Sequence, residues 1–386
     1  MNGSFRVGSL FGIPFYVNTS WFIVLALVTF SYGTELGATF PQLGVAPSFL
    51  LGLVSALLLF SSVLAHELGH SFVAMRQGIE VKSISLFLFG GLASFDRESK
   101  TPGQAFWVAI AGPLVSLGLF GMLRTALLGF NTLSPLTAVI SLLASINLIL
   151  ALFNLIPGLP LDGGNVLKAI VWKITGDPYK GVVFAGRVGQ IFGWLAIGTG
   201  LLPLFFGYGP QLWNILIGSF LLQNAGRAAQ SAQIERTLSS RTAADAITPD
   251  SPIVRSDLTL REFANQHIIG NVREWKRFLV VDDAGKMIGA IAADDMKKVA
   301  TSDWVRTTVA ELTQPLTLET IAARASLLEA LQMMERIHQN ELPVADETGA
   351  IIGLFEKNTA IEILRSERET ATDETSKKPD IRVSNE

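Results

Sequence analysis

Several long stretches of this chain run without a single charged residue, among them Leu36–Ala65 and Val188–Gly226. A bilayer core about 30 Å thick is crossed by about 20 apolar residues in a helix. Both stretches exceed that length, so the chain is constrained to a membrane class before any other feature is weighed. The hydrophobic fraction of 49% agrees, but the average hides a split. Charges are sparse from about Gly8 to Gly226 and frequent from Arg227 to Glu386. The first part reads as a membrane domain over residues 1–228, the second as a soluble one. Phe22–Phe30 lacks a basic lead and a small-residue cleavage site, and reads as part of a retained span rather than a signal peptide.

Six spans are expected: Pro14–Tyr32, Ser48–Gln77, Gln104–Leu127, Leu136–Ile156, Val188–Phe206 and Gln211–Gly226. Gly207-Tyr208-Gly209-Pro210 breaks the last charge-free run into two. Lys and Arg orient the set. They fall before span one, between spans two and three, between four and five, and after six; the alternate loops hold none, and Arg124 is the exception. The positive-inside rule then puts both termini and the soluble domain in the cytoplasm of a multi-pass cell-membrane protein.

At the cytoplasmic end of span two stands His66-Glu67-Leu68-Gly69-His70. Two His at i and i+4 share one helix face, which suits two ligands of one tetrahedral zinc. The Glu beside them is placed to act as base for a metal-bound water. Ionisable residues inside a span mark function by default. The bland alternatives are a chance match, since the motif fixes only three residues, and a structural zinc. Structural sites usually close with four ligands and favour Cys, and this chain has none. A catalytic zinc needs a third protein ligand. Asp162, in Leu161-Asp162-Gly163-Gly164 after span four, is expected at the same depth. An Asp beside Gly-Gly is more often a plain turn residue. Glu35, Asp96, Glu98 and Asp177 are rivals with ordinary solvated explanations.

In these residues the chain resembles the site-2 protease family of intramembrane zinc metalloproteases. His66-Glu-Leu-Gly-His70 on span two and Asn154-x-x-Pro157 with Leu161-Asp162-Gly163-Gly164 after span four carry the likeness. Weaker matches are Gly12-Ile13-Pro14, Phe89-Gly90-Gly91 and Ala111-Gly112-Pro113. The resemblance implies that His66, His70 and Asp162 ligate one zinc and that Glu67 is catalytic. It implies a substrate-engaging role for Asn154, whose bland reading is a packing amide. Asn147, two turns earlier, reads as structural. The segment Glu80–Phe95 reads as a hairpin or re-entrant strand, with Gly90 and Gly91 making the turn or permitting close backbone approach. Unwound substrate would add to its edge as a strand, and proline insertion in Ser83–Leu88 would test that.

Residues 229–241 read as a helix-compatible linker. Two similar units follow, 242–300 and 308–365. Arg277-Phe-Leu-Val-Val-Asp-Asp-Ala-Gly-Lys-Met-Ile-Gly289 repeats in Glu341-Leu-Pro-Val-Ala-Asp-Glu-Thr-Gly-Ala-Ile-Ile-Gly353, with the Asp-x-x-Gly turn in register. The repeat resembles a tandem CBS pair, an α/β module that often binds adenine nucleotides. Unit one keeps Asp295 of the usual ribose-phosphate signature but has Ala292 in place of its hydroxyl; unit two matches neither position. Adenine-nucleotide binding, with Asp295 as the residue to test, is thus what the resemblance implies and the motif only half supports; a purely structural module, or one that pairs two chains as a homodimer, is the reading these departures favour. His267 and His338 read as surface or packing residues, and 366–386 as a disordered tail.

The expected fold is an α-helical integral membrane domain followed by a cytoplasmic α/β tandem CBS pair. The expected activity is hydrolysis of peptide bonds in or near membrane segments, regulated by that pair. Its partners would be the lipid bilayer and a membrane-protein substrate, such as a single-span protein or an anti-sigma-type regulator. The net charge of -3 points to no nucleic acid. The rival from another class is a CBS-regulated transporter or channel, which leaves the zinc motifs unexplained; an inactive scaffold is opposed by the intact motif residues.

Overall fold

A β-hairpin precedes the first membrane helix. In the computed structural model, which describes residues 4–87, 90–269, 275–316 and 318–376, β1 (Ser4–Leu10) pairs antiparallel with β2 (Ile13–Asn18). Span one therefore starts later than the apolar pattern predicts. Helix α1 (Thr19–Thr39) begins where Asn18 caps it, its side chain accepting from the Ser20 N–H. Ile13–Asn18 is apolar enough to read as helix, but its strand partners decide its conformation.

Helix α2 (Val45–Arg76) carries the His pair. Strands β3 (Val81–Phe87) and β4 (Gly90–Phe95) form the expected hairpin. Residues 88–89, which hold the start of the Phe89-Gly90-Gly91 match and the end of Ser83–Leu88, lie outside the described residues. The sheet order is β1-β2-β3-β4, with β2 and β3 parallel. One expectation is corrected here. Val81–Phe87 is an inner strand, so the free edge is β4, and proline in Ser83–Leu88 would break the sheet rather than probe substrate pairing.

Helices α3 (Pro102–Leu127), α4 (Pro135–Asn154), α5 (Asp162–Thr175), α6 (Pro178–Leu201) and α7 (Leu212–Ser240) complete the membrane part. Small residues let these helices approach closely, as interhelical packing in lipid requires. A Cβ on Gly52 of α2 would stand 2.6 Å from the Thr29 carbonyl oxygen of α1. Among the described residues five helical segments are long and apolar enough to cross a bilayer: α1, α2, α3, α4 and residues 178–206. The expected sixth span is only the apolar start of α7, which continues through the expected linker 229–241 as one helix.

The chain divides into two units, Met1–Gln233 and Ile234–Glu386. In the second, each repeat builds a three-stranded sheet. The first holds β5 (Ile253–Arg255), α8 (Leu260–Phe263), β6 (Arg277–Val281) and β7 (Met287–Ala292), followed by α9 (Val309–Leu312). The second holds β8 (Ile321–Ala322), α10 (Leu327–Ile337), β9 (Glu341–Ala345) and β10 (Ile351–Glu356). In both, the first strand runs parallel to the second and the third antiparallel to it. The duplicated turns match in detail. Asp282 Oδ1 accepts from the N–H groups of Ala284 and Lys286, and Asp346 Oδ1 from those of Thr348 and Ala350. Helix α11 (Lys357–Ser376) extends into the segment expected to be disordered from 366; 377–386 lie outside the described residues.

Candidate active site

Helix α2 is apolar along most of its length, yet the face it buries at its end is polar. His66, Glu67 and His70 are all buried. Three positions of α3 hold the two imidazoles. His70 Nδ1 is 2.7 Å from the Val108 carbonyl oxygen, and His66 Nδ1 is 2.9 Å from Ser116 Oγ. Between them is Gly112, and Val108, Gly112 and Ser116 follow one another at i, i+4 and i+8 on one helix face. A Cβ on Gly112 would stand 2.2 Å from His70 Nε2 and 2.7 Å from His66 Nε2. Glycine is what leaves room there for two ring nitrogens. The sequence marks Gly112 only as a weak motif match, and Ser116 and Val108 were missed. A hydroxyl one turn from a glycine inside an apolar span was the available signal for Ser116.

Asp162 reaches the same point from α5. It is the first residue of that helix rather than a loop residue. The two glycines behind it let the helix start nest on the preceding turn. A Cβ on Gly163 would meet the Leu155 carbonyl oxygen at 2.3 Å, and one on Gly164 the Gly158 carbonyl carbon at 2.3 Å. Asp162 Oδ2 lies 3.0 Å from His66 Nε2 and 3.3 Å from His70 Nε2.

The donor set fits a zinc ion. The Val108 carbonyl can only accept, so His70 Nδ1 carries the proton, and the neutral ring turns the Nε2 lone pair toward the Asp162 oxygen. With the ring neutral, that lone pair and the carboxylate oxygen 3.3 Å away suit a cation held between them. Ligands at zinc bond lengths in a tetrahedron stand about 3.3 Å apart, close to the separations found. Hydrogen bonding of the distal ring nitrogen to a carbonyl or hydroxyl is the usual support of a metal-bound His. Among the described residues His66, His70 and Asp162 are the one such cluster. The rival carboxylates have other partners. Asp96 pairs with Lys82, Glu98 with Lys168, and Asp177 caps α6.

The cluster opens on a cavity of about 380 Å³. Glu67 lies on one wall against β4. The Ala93 backbone N–H faces its carboxylate. A Cβ on Gly91 would stand 2.4 Å from Glu67 Cγ, so the close approach expected of this glycine pair falls to Gly91. Gly90, at φ 136°, opens β4 opposite Phe87, and the turn itself falls in residues 88–89, outside the described residues. Asn154, the last residue of α4, lines the cavity with no side-chain hydrogen bond among the described residues. Asn165 and Lys168 of α5 line it too, and sequence reasoning missed both. Asn147 instead donates to Ser62 Oγ and the Leu143 carbonyl, a packing role.

In the second unit Asp295 is already engaged. Its carboxylate accepts from the Ala292 N–H at 3.0 Å and from Lys298 at 2.6 Å. These partners, Lys298 foremost, hold it below the usual carboxylate range. A cleft of about 500 Å³ between the two repeats is lined by Trp275, Lys276, Arg277, Gln339 and Asn340 among others, without Asp295.

A membrane-helix core with a buried His-Glu-x-x-His and a converging Asp defines a metallopeptidase class, and comparison with known proteins agrees. Residues 54–134 and 129–195 match the model of peptidase family M50. The chain is 54% identical over 375 residues to "Putative zinc metalloprotease sll0528" of Synechocystis sp., covering 95% of this chain and 97% of that protein. The chain belongs to peptidase family M50 and is a multi-pass membrane zinc metalloprotease. A solved site-2 protease from Methanocaldococcus jannaschii aligns with 58% of this chain and 95% of its own, at 29% identity and a TM-score of 0.42. The CBS domain of a bacterial CNNM/CorC family Mg2+ transporter aligns with 35% of this chain and 83% of its own, at 20% identity and a TM-score of 0.26.

Proposed function

We propose that this protein is an intramembrane endopeptidase that cuts peptide bonds in or near the membrane segments of other membrane proteins. One observation carries the reading: the His66, His70 and Asp162 donors and the Glu67 carboxylate share a cavity whose wall is the free edge of a β-sheet. His66, His70 and Asp162 hold the zinc. When bound, the metal polarises the scissile carbonyl and acidifies water. Glu67 takes a proton from the attacking water on its carboxylate and later delivers it to the leaving amine. Its stem is fixed against Gly91 and its carboxylate against the Ala93 N–H.

A peptide bond inside an intact helix is sterically closed to attack, so substrate has to unwind. The β4 edge supports binding of the unwound strand. The Ala93 N–H, turned away from β3, is taken up by Glu67, and by the alternation of an antiparallel ladder the Gly91 backbone shares that side and is the group that would pair with the substrate strand. Asn154 offers an unengaged amide to the peptide backbone. The substrate class is a single-span membrane protein, including regulators of the anti-sigma type. The distribution of Lys and Arg supports cytoplasmic termini and a cytoplasmic CBS-type pair. That pair regulates activity through an adenine nucleotide, at Asp295 or the cleft between repeats, or through pairing of two chains.

The test uses the purified full-length enzyme in detergent with single-span test peptides. The wild type cuts; Glu67→Gln keeps its zinc and cuts at least about a hundredfold more slowly. Equal cutting by both would refute the assignment of Glu67.

A further inference from the structure

Helix α5 brings more to the cavity than Asp162. Asn165, Lys168 and Trp172 line it from the same helix. Lys168 is the unusual member, because its side chain is only 15% exposed although it is an ammonium. A cation withdrawn from water needs an anion. Its partner is Glu98, at 2.9 Å, which is 83% exposed and lies between β4 and α3. Glu98 makes no other side-chain hydrogen bond or ion pair among the described residues. The cation is therefore held in the cavity wall, while its carboxylate partner stands in solvent, where another carboxylate can replace it. Neighbouring Arg97 also lines the cavity; its guanidinium donates to the Gly78 carbonyl and has no carboxylate partner among the described residues. Beyond the metal ligands and Glu67, the mouth of the site carries two cations and one displaceable anion.

The geometry points to Lys168 as a specificity-determining residue that selects substrates bearing Asp or Glu near the scissile bond. The incoming carboxylate takes the place of Glu98, so Lys168 is never left unpaired. The spacing sets the reach between the metal ligands and the cation. Lys168 is six residues beyond Asp162, about 9 Å along the helix. A peptide extended along β4 covers that distance in about three residues. The inference rests on the endopeptidase reading above and adds a substrate class to it.

The experiment is cleavage-site profiling. Zinc-loaded full-length enzyme in detergent is incubated with a library of synthetic single-span peptides randomised over four positions on each side of the expected cut, and products are sequenced by mass spectrometry. The wild type should enrich Asp and Glu about tenfold at one position roughly three residues from the cut, the size of one charge-assisted hydrogen bond. Lys168→Glu should reverse that preference to Lys and Arg at the same position. Lys168→Met should abolish it, and serves if the charge reversal does not fold. Glu98→Gln, a surface change, should keep or sharpen the acidic preference by removing the competitor. Cutting without acidic enrichment in the wild type, or the same pattern in Lys168→Met, would overturn the inference and leave the pair a structural latch. Absence of any cutting by zinc-loaded wild type would overturn the endopeptidase reading, and the inference with it.

Discussion

Adding one methyl group at Gly112 should empty the metal site of a protein that otherwise folds. The new Cβ would lie 2.2 Å from His70 Nε2 and 2.7 Å from His66 Nε2, where ordinary contact begins at 3.4 Å. Relief requires about 1 Å of movement between α2 and α3. The rings cannot supply it by swinging away, because both are tethered to α3 itself, His70 to Val108 and His66 to Ser116. Overpacking of this kind costs about 1–3 kcal/mol of stability. The cost to the site is larger, because the two nitrogens struck are the ones that face Asp162. Loss of a supporting hydrogen bond alone lowers metal affinity about 10–100-fold, and here the ligating atoms themselves are displaced. Gly112→Ala should therefore bind zinc at least about a hundredfold more weakly, read by competition with a chromophoric chelator on the detergent-purified protein. Gly118→Ala on the same helix is the control, since a Cβ there meets nothing within 4 Å. Zinc affinity in Gly112→Ala within a factor of about three of wild type would refute the geometry argued here.

Three further outcomes are expected. Ser116→Ala removes the partner of His66 Nδ1 and should weaken zinc binding about 10–100-fold by the same competition assay, with little change in melting temperature. Ser85→Pro places proline on an inner strand, opposite Tyr16 and Leu92; it should destabilise the protein by about 3 kcal/mol or more, seen as a lower melting temperature rather than as a selective loss of cleavage. Asp346→Ala should unlatch the second repeat's turn and lower melting by roughly 2–4 °C at neutral pH. The hydroxyl and N–H of Thr348 hold the Asp346 carboxyl below its usual range. Its contribution is therefore present at neutral pH and fades as pH falls through its native pKa, so wild type and variant should converge in acid.

The sequence made the helical membrane architecture readable because lipid leaves so few options for a charge-free run. The His pair and Asp162 were legible because they are ionisable residues set among apolar ones, and the duplicated Asp-x-x-Gly turns because they repeat in register. What escaped was decided by distant partners. Ile13–Asn18 looks like the start of a span, and becomes a strand only because β1 and β3 flank it. Asp162 looks like a turn residue, and begins a helix because Gly163 and Gly164 pack on backbone 155–158. The inner position of β3 could not be read from a hairpin pattern, since it depends on pairing with β2 far earlier in the chain. Ser116, Val108 and Lys168 act through α3 and α5 on atoms from other helices, and a backbone carbonyl such as that of Val108 leaves no mark in a sequence at all.

Catalysis by this site depends on whether His66, His70 and Asp162 together hold one metal ion. Zinc should be measured per chain in the detergent-purified full-length protein, beside His66→Ala and Asp162→Ala, with melting curves to verify folding. About one zinc per chain in wild type, lost in both folded variants, is the predicted result. A folded wild type that takes up no zinc when supplied with it, or an Asp162→Ala variant that binds zinc as wild type does, would contradict it.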